Sequence, residues 1–348
     1  MSTILFLCNF LFECITMEHP LTRLTGTVSI ITRWVHIQLV CQQVCSMEQL
    51  NSTVVTSNIS SSPGHPSTAS WDSSSLAPAV VLSLCFLLGV PGNITVIILR
   101  PNWEHMSSLS QILMLNLAIS DLVCLLPLPL WIYTLLYSWT LGLVACKLVA
   151  YLTYCSLYGS LMTVTVLSVQ RYLKVVYLQR YFYHVGSKRL LVLLWLAAMI
   201  LSIPALVNGH LTPDQNWIHC EFHYSSPAQQ EAVLLTETLI GFLCCFVVAF
   251  SYIGLHRKVN QAAFFNHAQT TRLITSIIVS FFVLWMPYHI TNVLGVAAVS
   301  LKNEGLLKFY TDSGGVVAAL AFVNSCLNPF LYAFAFRNKC TVCQKREH

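Results

Sequence analysis

The chain has 348 residues, 56% of them hydrophobic and only 9% charged, with 18 Lys and Arg against 13 Asp and Glu and a net charge of +5. Soluble domains carry about 25% charged residues, so the composition excludes an ordinary soluble protein and points to the membrane. The text holds no phosphate-binding loop and no metal-spaced set of His and Cys, so neither an enzyme nor a nucleic-acid binder is expected.

The first 75 residues stand apart. Ile4 to Phe12 is apolar, but no basic segment precedes it and Glu13 interrupts it, which argues against a signal peptide. From Met47 onward the text is rich in Ser, Thr and Pro, with glycan acceptor sequons at Asn51 and Asn58. Residues 1–75 are therefore expected to be an extracellular, largely disordered tail. Within it, 1–46 reads as an upstream extension and Met47 as the working start.

Seven apolar stretches follow, at 76–100, 109–137, 143–176, 189–207, 231–257, 270–299 and 307–334. Each is near or above the roughly 20 residues that a spanning helix requires. Basic residues gather on one side of the alternation, among them Arg100, Arg171, Lys174, Lys188, Arg189, Arg257 and Arg337. The other side carries Lys147, Lys302 and Lys308, offset by Asp214, Glu221, Glu231, Glu304 and Asp312. The positive-inside rule then predicts an extracellular amino terminus and a cytoplasmic carboxyl terminus. The expected fold is an all-α membrane protein, a seven-transmembrane helix bundle over residues 76–336, with a short basic cytoplasmic tail at 337–348. An ion pathway is the weaker alternative, since no inverted half-repeat is visible.

In the third stretch, Cys146 and Arg171 lie about 37 Å apart along a helix, enough to cross the hydrocarbon core. Most of the fourteen cysteines fall inside spans and behave as small hydrophobes. Cys146 and Cys220 fall at the outer face, where an oxidising compartment favours their pairing; two unrelated thiols are the alternative. Asp121 falls mid-span, where an isolated carboxylate is costly and needs partners. Pro287 and Pro329 each remove a helical hydrogen bond and are expected to form hinges.

The polar residues inside the spans resemble, in order, those of rhodopsin-like (class A) G protein-coupled receptors. The resemblance rests on Gly92-Asn93, Leu117-Ala118-Ile119-Ser120-Asp121, Cys146, Gln170-Arg171-Tyr172, Trp195, Pro204, Cys220, Phe281 with Trp285-Met286-Pro287-Tyr288, and Asn324 with Asn328-Pro329-Phe330-Leu331-Tyr332. It covers residues 76–336. It implies a multi-pass plasma-membrane receptor for heterotrimeric G proteins, with Arg171, Tyr172, Tyr252, Pro287, Pro329 and Tyr332 in coupling and switching. It also implies a sodium ion as allosteric ligand, held by Asp121, Ser160, Asn324 and Asn328; oxygen ligands suit a hard cation. No other cofactor is expected. Two positions depart from the family pattern. Gln170 stands where an acid usually holds the arginine, and Cys244-Cys245 lies where span 5 usually has a proline.

Thr153 replaces the aspartate of amine receptors, and Phe322 the lysine of visual pigments, so neither an amine nor retinal fits. Local text is similar to the leukotriene B4 receptor group, especially its low-affinity branch. It includes Ala145-Cys146-Lys147, Ser156-Leu157-Tyr158-Gly159-Ser160, Thr236-Glu237-Thr238-Leu239 and Pro287-Tyr288-His289 with Asn292. That resemblance implies a lipid-acid ligand such as leukotriene B4, or a related hydroxy fatty acid, and Gi-type coupling. Lys147 and His289 become expected carboxylate contacts, Tyr158, Glu237 and Asn292 hydroxyl contacts, and Trp285 the pocket floor. A chemoattractant-peptide or prostanoid receptor of the same fold, or a non-signalling decoy, is the alternative.

Of the sixteen residues after Tyr332, only Thr341 carries a hydroxyl, so weak arrestin recruitment is expected. Basic residues beside Cys340 and Cys343 suit palmitoylation and contact with anionic membrane lipids, with free thiols the alternative.

Overall fold

Proline placement decides where the apolar stretches stay straight. The computed structural model describes residues 73–100, 107–176, 186–214, 217–261 and 268–344. Along these the chain forms α1 (Ser73–Leu99), α2 (Ser108–Leu125), α3 (Leu128–Leu136), α4 (Gly142–Val176), α5 (Ser187–Leu201) and α6 (Ile203–Asn208). A hairpin of β1 (Gly209–Asp214) and β2 (Trp217–Phe222) follows, then α7 (Pro227–Gln261), α8 (Ala268–Ser300) and α9 (Glu304–Gln344). Among the described residues, seven segments are long and apolar enough to cross a membrane. The second combines α2 with α3, and the fourth α5 with α6.

Both of those spans break at proline. Pro127 and Pro129 supply no N–H, so α2 ends at Leu125 and α3 restarts at Leu128. In the fourth span, Ser202 sits ahead of Pro204 and its hydroxyl donates to the Ala198 carbonyl (2.7 Å), a back-bond that favours bending. Tyr151 of α4 donates to the Met199 carbonyl (3.3 Å) beside this break. Pro287 and Pro329, by contrast, lie within unbroken α8 and α9. Helix α9 continues to Gln344, so residues 337–344, read from sequence as a tail, extend the last helix. The glycan positions Asn51 and Asn58 lie outside the described residues, as do the side chains of Tyr332, Cys340 and Cys343.

The bundle interior is joined by buried amides and hydroxyls as well as apolar packing. Asn116 of α2 donates to Thr163 of α4 (2.7 Å) and accepts from the Trp195 indole of α5 (2.9 Å). Asn93 of α1 donates to the Ser325 carbonyl of α9 (3.1 Å). Close by, Gly92 allows α1 to approach α9, because a β-carbon there would lie 2.9 Å from Pro329. Leu82, Cys85, Cys124, Leu125, Leu128, Phe322 and Cys326 form an apolar cluster among α1, α2, α3 and α9. Such groups are held together in lipid by packing and satisfied polar atoms, since hydrocarbon offers neither water nor a hydrophobic drive.

The hairpin is absent from the sequence reading, which treated this segment as a loop. Its antiparallel register pairs His210 with Glu221 and Thr212 with His219. Contacts outside the hairpin hold it in place. The backbone N–H of Trp139 donates to the Ile218 carbonyl (2.7 Å), and that of His223 to the Asn208 carbonyl (2.9 Å). A disulfide joins Cys220 to Cys146 at the start of α4, with Cα atoms 5.7 Å apart.

Candidate functional site

Helical spacing places one cavity face on each of two long helices. On α4, Thr153, Tyr154, Leu157, Tyr158 and Leu161 recur at three- and four-residue steps and share one side. On α8, Trp285, Tyr288 and His289 do the same. Gly315, Ala318, Ala319 and Ala321 of α9 are small and leave room between them. The result is a cavity of about 340 Å³, within the roughly 300–1,000 Å³ range of small-molecule sites. Glu237 enters from α7, and His219, Cys220, Glu221 and Phe222 of the hairpin line the disulfide end.

The polar groups form one connected patch on an otherwise apolar wall. The Tyr288 hydroxyl donates to Glu237 Oε2 (2.8 Å), and Asn292 Nδ2 donates to the same oxygen (3.2 Å). Tyr154 lines the same cavity and packs edge-on against Phe222 of the hairpin, centroids 5.6 Å apart. Below lies an aromatic stack. Phe281 and Trp285 have centroids 5.8 Å apart, and Trp285 and His289 are stacked at 5.9 Å. Trp285 Nε1 and both ring nitrogens of His289 are buried without a hydrogen-bond partner among the described residues. Unsatisfied buried donors and acceptors of this kind are costly, and here they border a cavity. His289 also presses on α7, where a β-carbon at Gly241 would overlap its imidazole.

The structure thus brings Tyr158, Glu237, Trp285 and His289 together around the cavity, with Asn292 one hydrogen bond behind it. Lys147 is not among them. Its ammonium donates to the Val207 carbonyl (3.2 Å) in the last turn of α6, where helical carbonyls lack partners. Sequence reasoning missed Tyr154, Tyr288 and the hairpin residues. The tyrosines were legible, since they share the helical phase of Tyr158 and Trp285. The hairpin was not, because its contact with the cavity depends on the disulfide and the flanking loop.

A second polar cluster lies deeper. Asp121, fully buried, accepts from Ser160 Oγ (3.0 Å) and from Asn328 Nδ2 (2.6 Å). Asn324 and Ser325 are buried in the adjoining turns of α9. The cluster gathers a carboxylate with hydroxyl and amide side chains, groups whose oxygens are of the kind that bind hard cations.

Comparison with known proteins decides what these features belong to. Residues 92–332 match the family described as 7 transmembrane receptor (rhodopsin family). The chain belongs to this family. It is a multi-pass plasma-membrane receptor, and the family is one of receptors, not enzymes. The receptor is 34% identical to leukotriene B4 receptor 2 of Homo sapiens over 78% of this chain and 79% of that one. It is 32% identical to leukotriene B4 receptor 1 of Homo sapiens, covering 75% and 77%. Against the C3a anaphylatoxin chemotactic receptor of Danio rerio it is 29% identical, covering 77% and 75%.

At the other end of α4 the receptor departs from the family pattern in a defined way. Arg171 is buried, and Tyr172 packs edge-on against Phe250 of α7 with centroids 5.8 Å apart. Gln170 turns toward α2. Its Oε1 accepts from Ser110 (3.0 Å) and its Nε2 donates to Ser107 (3.0 Å), tying α4 to the start of α2.

Proposed function

We propose that the receptor recognises a hydroxylated lipid acid, leukotriene B4 or a related hydroxy fatty acid, and activates Gi-type heterotrimeric G proteins. The observation that carries this reading is the cavity itself: a mainly apolar trough with one polar patch of Glu237, Tyr288, Asn292, Tyr154 and Tyr158. An acyl chain fits the apolar walls, and hydroxyls fit the patch, since a hydroxyl both donates to a carboxylate and accepts from an N–H or O–H. Similarity to the two leukotriene B4 receptors supports the same ligand class.

In this reading the disulfide end faces outside and the Arg171 end faces the cytoplasm. Ligand seated on Trp285 and His289 biases the helices about Pro287 and Pro329, and Arg171, Tyr172, Tyr252 and Tyr332 meet the G protein. Sodium at Asp121, Ser160, Asn324 and Asn328 would stabilise the resting arrangement. Similarity to the C3a receptor keeps a peptide ligand as the second reading.

A panel of hydroxy fatty acids, prostanoids and chemotactic peptides, scored by calcium and cyclic-nucleotide responses, tests the proposal. Response to hydroxy fatty acids at submicromolar concentration (on the order of 8 kcal/mol or more of binding) is the expected result. Response to peptides alone would replace it.

A further inference from the structure

A lipid acid must place its carboxylate somewhere, and this cavity offers no ordinary counter-charge. Among the residues lining it there is neither Lys nor Arg. Lys147, the nearest expectation, is engaged by the Val207 carbonyl instead. The imidazoles in the lining are His219, on β2, and His289, on α8.

These two differ in what surrounds them. His289 lies beside Tyr288, whose hydroxyl is bonded to the Glu237 carboxylate. A ligand carboxylate brought to that level would meet Glu237 in a low-dielectric wall, where like charges repel strongly. A ligand hydroxyl carries no such penalty there, and it could also accept from the unpartnered Trp285 Nε1–H.

His219 lies at the other end of the cavity. It is the residue before Cys220, which is bonded to Cys146, and Tyr154 lies about 12 Å further along α4 from Cys146. Glu221, two residues along the same strand and across from His210 in the hairpin register, also lines the cavity but is exposed, where solvent screens its charge.

We infer that His219 is the carboxylate-recognising residue of this receptor, and that the ligand binds acid-end toward the hairpin with its hydroxyls on Glu237 and Tyr288. The inference rests on the lipid-acid reading above and deepens it. It makes the hairpin, anchored by the disulfide, a determinant of specificity as well as a cover.

The test compares leukotriene B4 with its methyl ester, which keeps the hydroxyls and chain but removes the charge. Both are titrated on the full-length receptor and on His219→Ala, His219→Gln and His219→Arg, each normalised to surface receptor number. A charge-assisted hydrogen bond predicts an acid preference of about ten- to a hundredfold in the unsubstituted receptor. That preference should collapse in His219→Ala and His219→Gln through loss of acid potency alone, and persist in His219→Arg. If His219→Ala fails to reach the surface, the Gln and Arg pair decides the matter in the same way. Equal losses for acid and ester, or an acid preference untouched by any substitution, would overturn the inference while leaving the ligand class standing. No response of the unsubstituted receptor to either compound would remove the lipid-acid reading and the inference with it.

Discussion

Gln170 accepts a hydrogen bond from Ser110 at 3.0 Å, and so faces α2 at the position where relatives in this family usually hold the neighbouring arginine with an acid. With Ser107 accepting from its other amide atom, the side chain is a tether between helices rather than a charge latch. Each neutral bond contributes about 1 kcal/mol, and a charged partner would contribute about twice that.

Gln170→Ala should therefore raise basal nucleotide exchange, by loosening α4 from α2. Gln170→Asp should lower it, by placing a negative charge beside Arg171. Basal exchange measured in membranes matched for receptor number distinguishes the two directions. Identical basal rates in all three proteins would show that Gln170 has no part in holding the resting state.

The Cys146–Cys220 disulfide closes a loop of 74 residues, worth about 4 kcal/mol on the chain-entropy model. Cys146→Ser and Cys220→Ser should each reduce surface expression and ligand binding sharply. The double substitution should do no further harm, because both remove the same link. Additive losses would mean that each cysteine has a separate role.

At Gly241 there is no space for a side chain, because the imidazole of His289 occupies it. Gly241→Ala should cost about 1–3 kcal/mol from overpacking, despite the gain in helix propensity, and should weaken agonist potency by displacing the cavity floor. In a His289→Ala background the same substitution should be neutral or stabilising. Thermal denaturation of the four purified proteins completes the cycle, and equal destabilisation in both backgrounds would contradict the contact.

Much of this was legible in the text for a physical reason. Hydrocarbon forces apolar length on every span, so seven stretches stand out, and a buried polar residue such as Asp121 must find a partner. What sequence could not supply was direction. Lys147 lies in helical phase with Tyr154, yet the carbonyl of Val207 draws its ammonium aside. Proline identity did not reveal its effect either. Pro127 and Pro204 accompany breaks, while Pro287 and Pro329 lie inside continuous helices. The hairpin was invisible because a disulfide and two loop hydrogen bonds hold it, and none of these has a local periodicity.

Asp121 receives hydrogen bonds from α4 and α9 together, so an ion bound beside it would link those helices. Sodium should lower agonist affinity in the unsubstituted receptor and lose that effect in Asp121→Asn, since an ion preferring the resting state opposes agonist by linkage. Agonist competition binding with and without sodium measures the coupling. The same sodium effect in both proteins would show that the ion does not bind there.

The account as a whole is tested most directly by nucleotide exchange on a purified Gi heterotrimer, with the purified receptor in lipid and leukotriene B4 as ligand. The receptor should accelerate exchange, Glu237→Ala should need about tenfold or more ligand for the loss of its hydroxyl contact, and Arg171→Ala should bind ligand without accelerating exchange. Ligand binding with no acceleration in the unsubstituted receptor, or acceleration by peptides and by no hydroxy fatty acid, would contradict it.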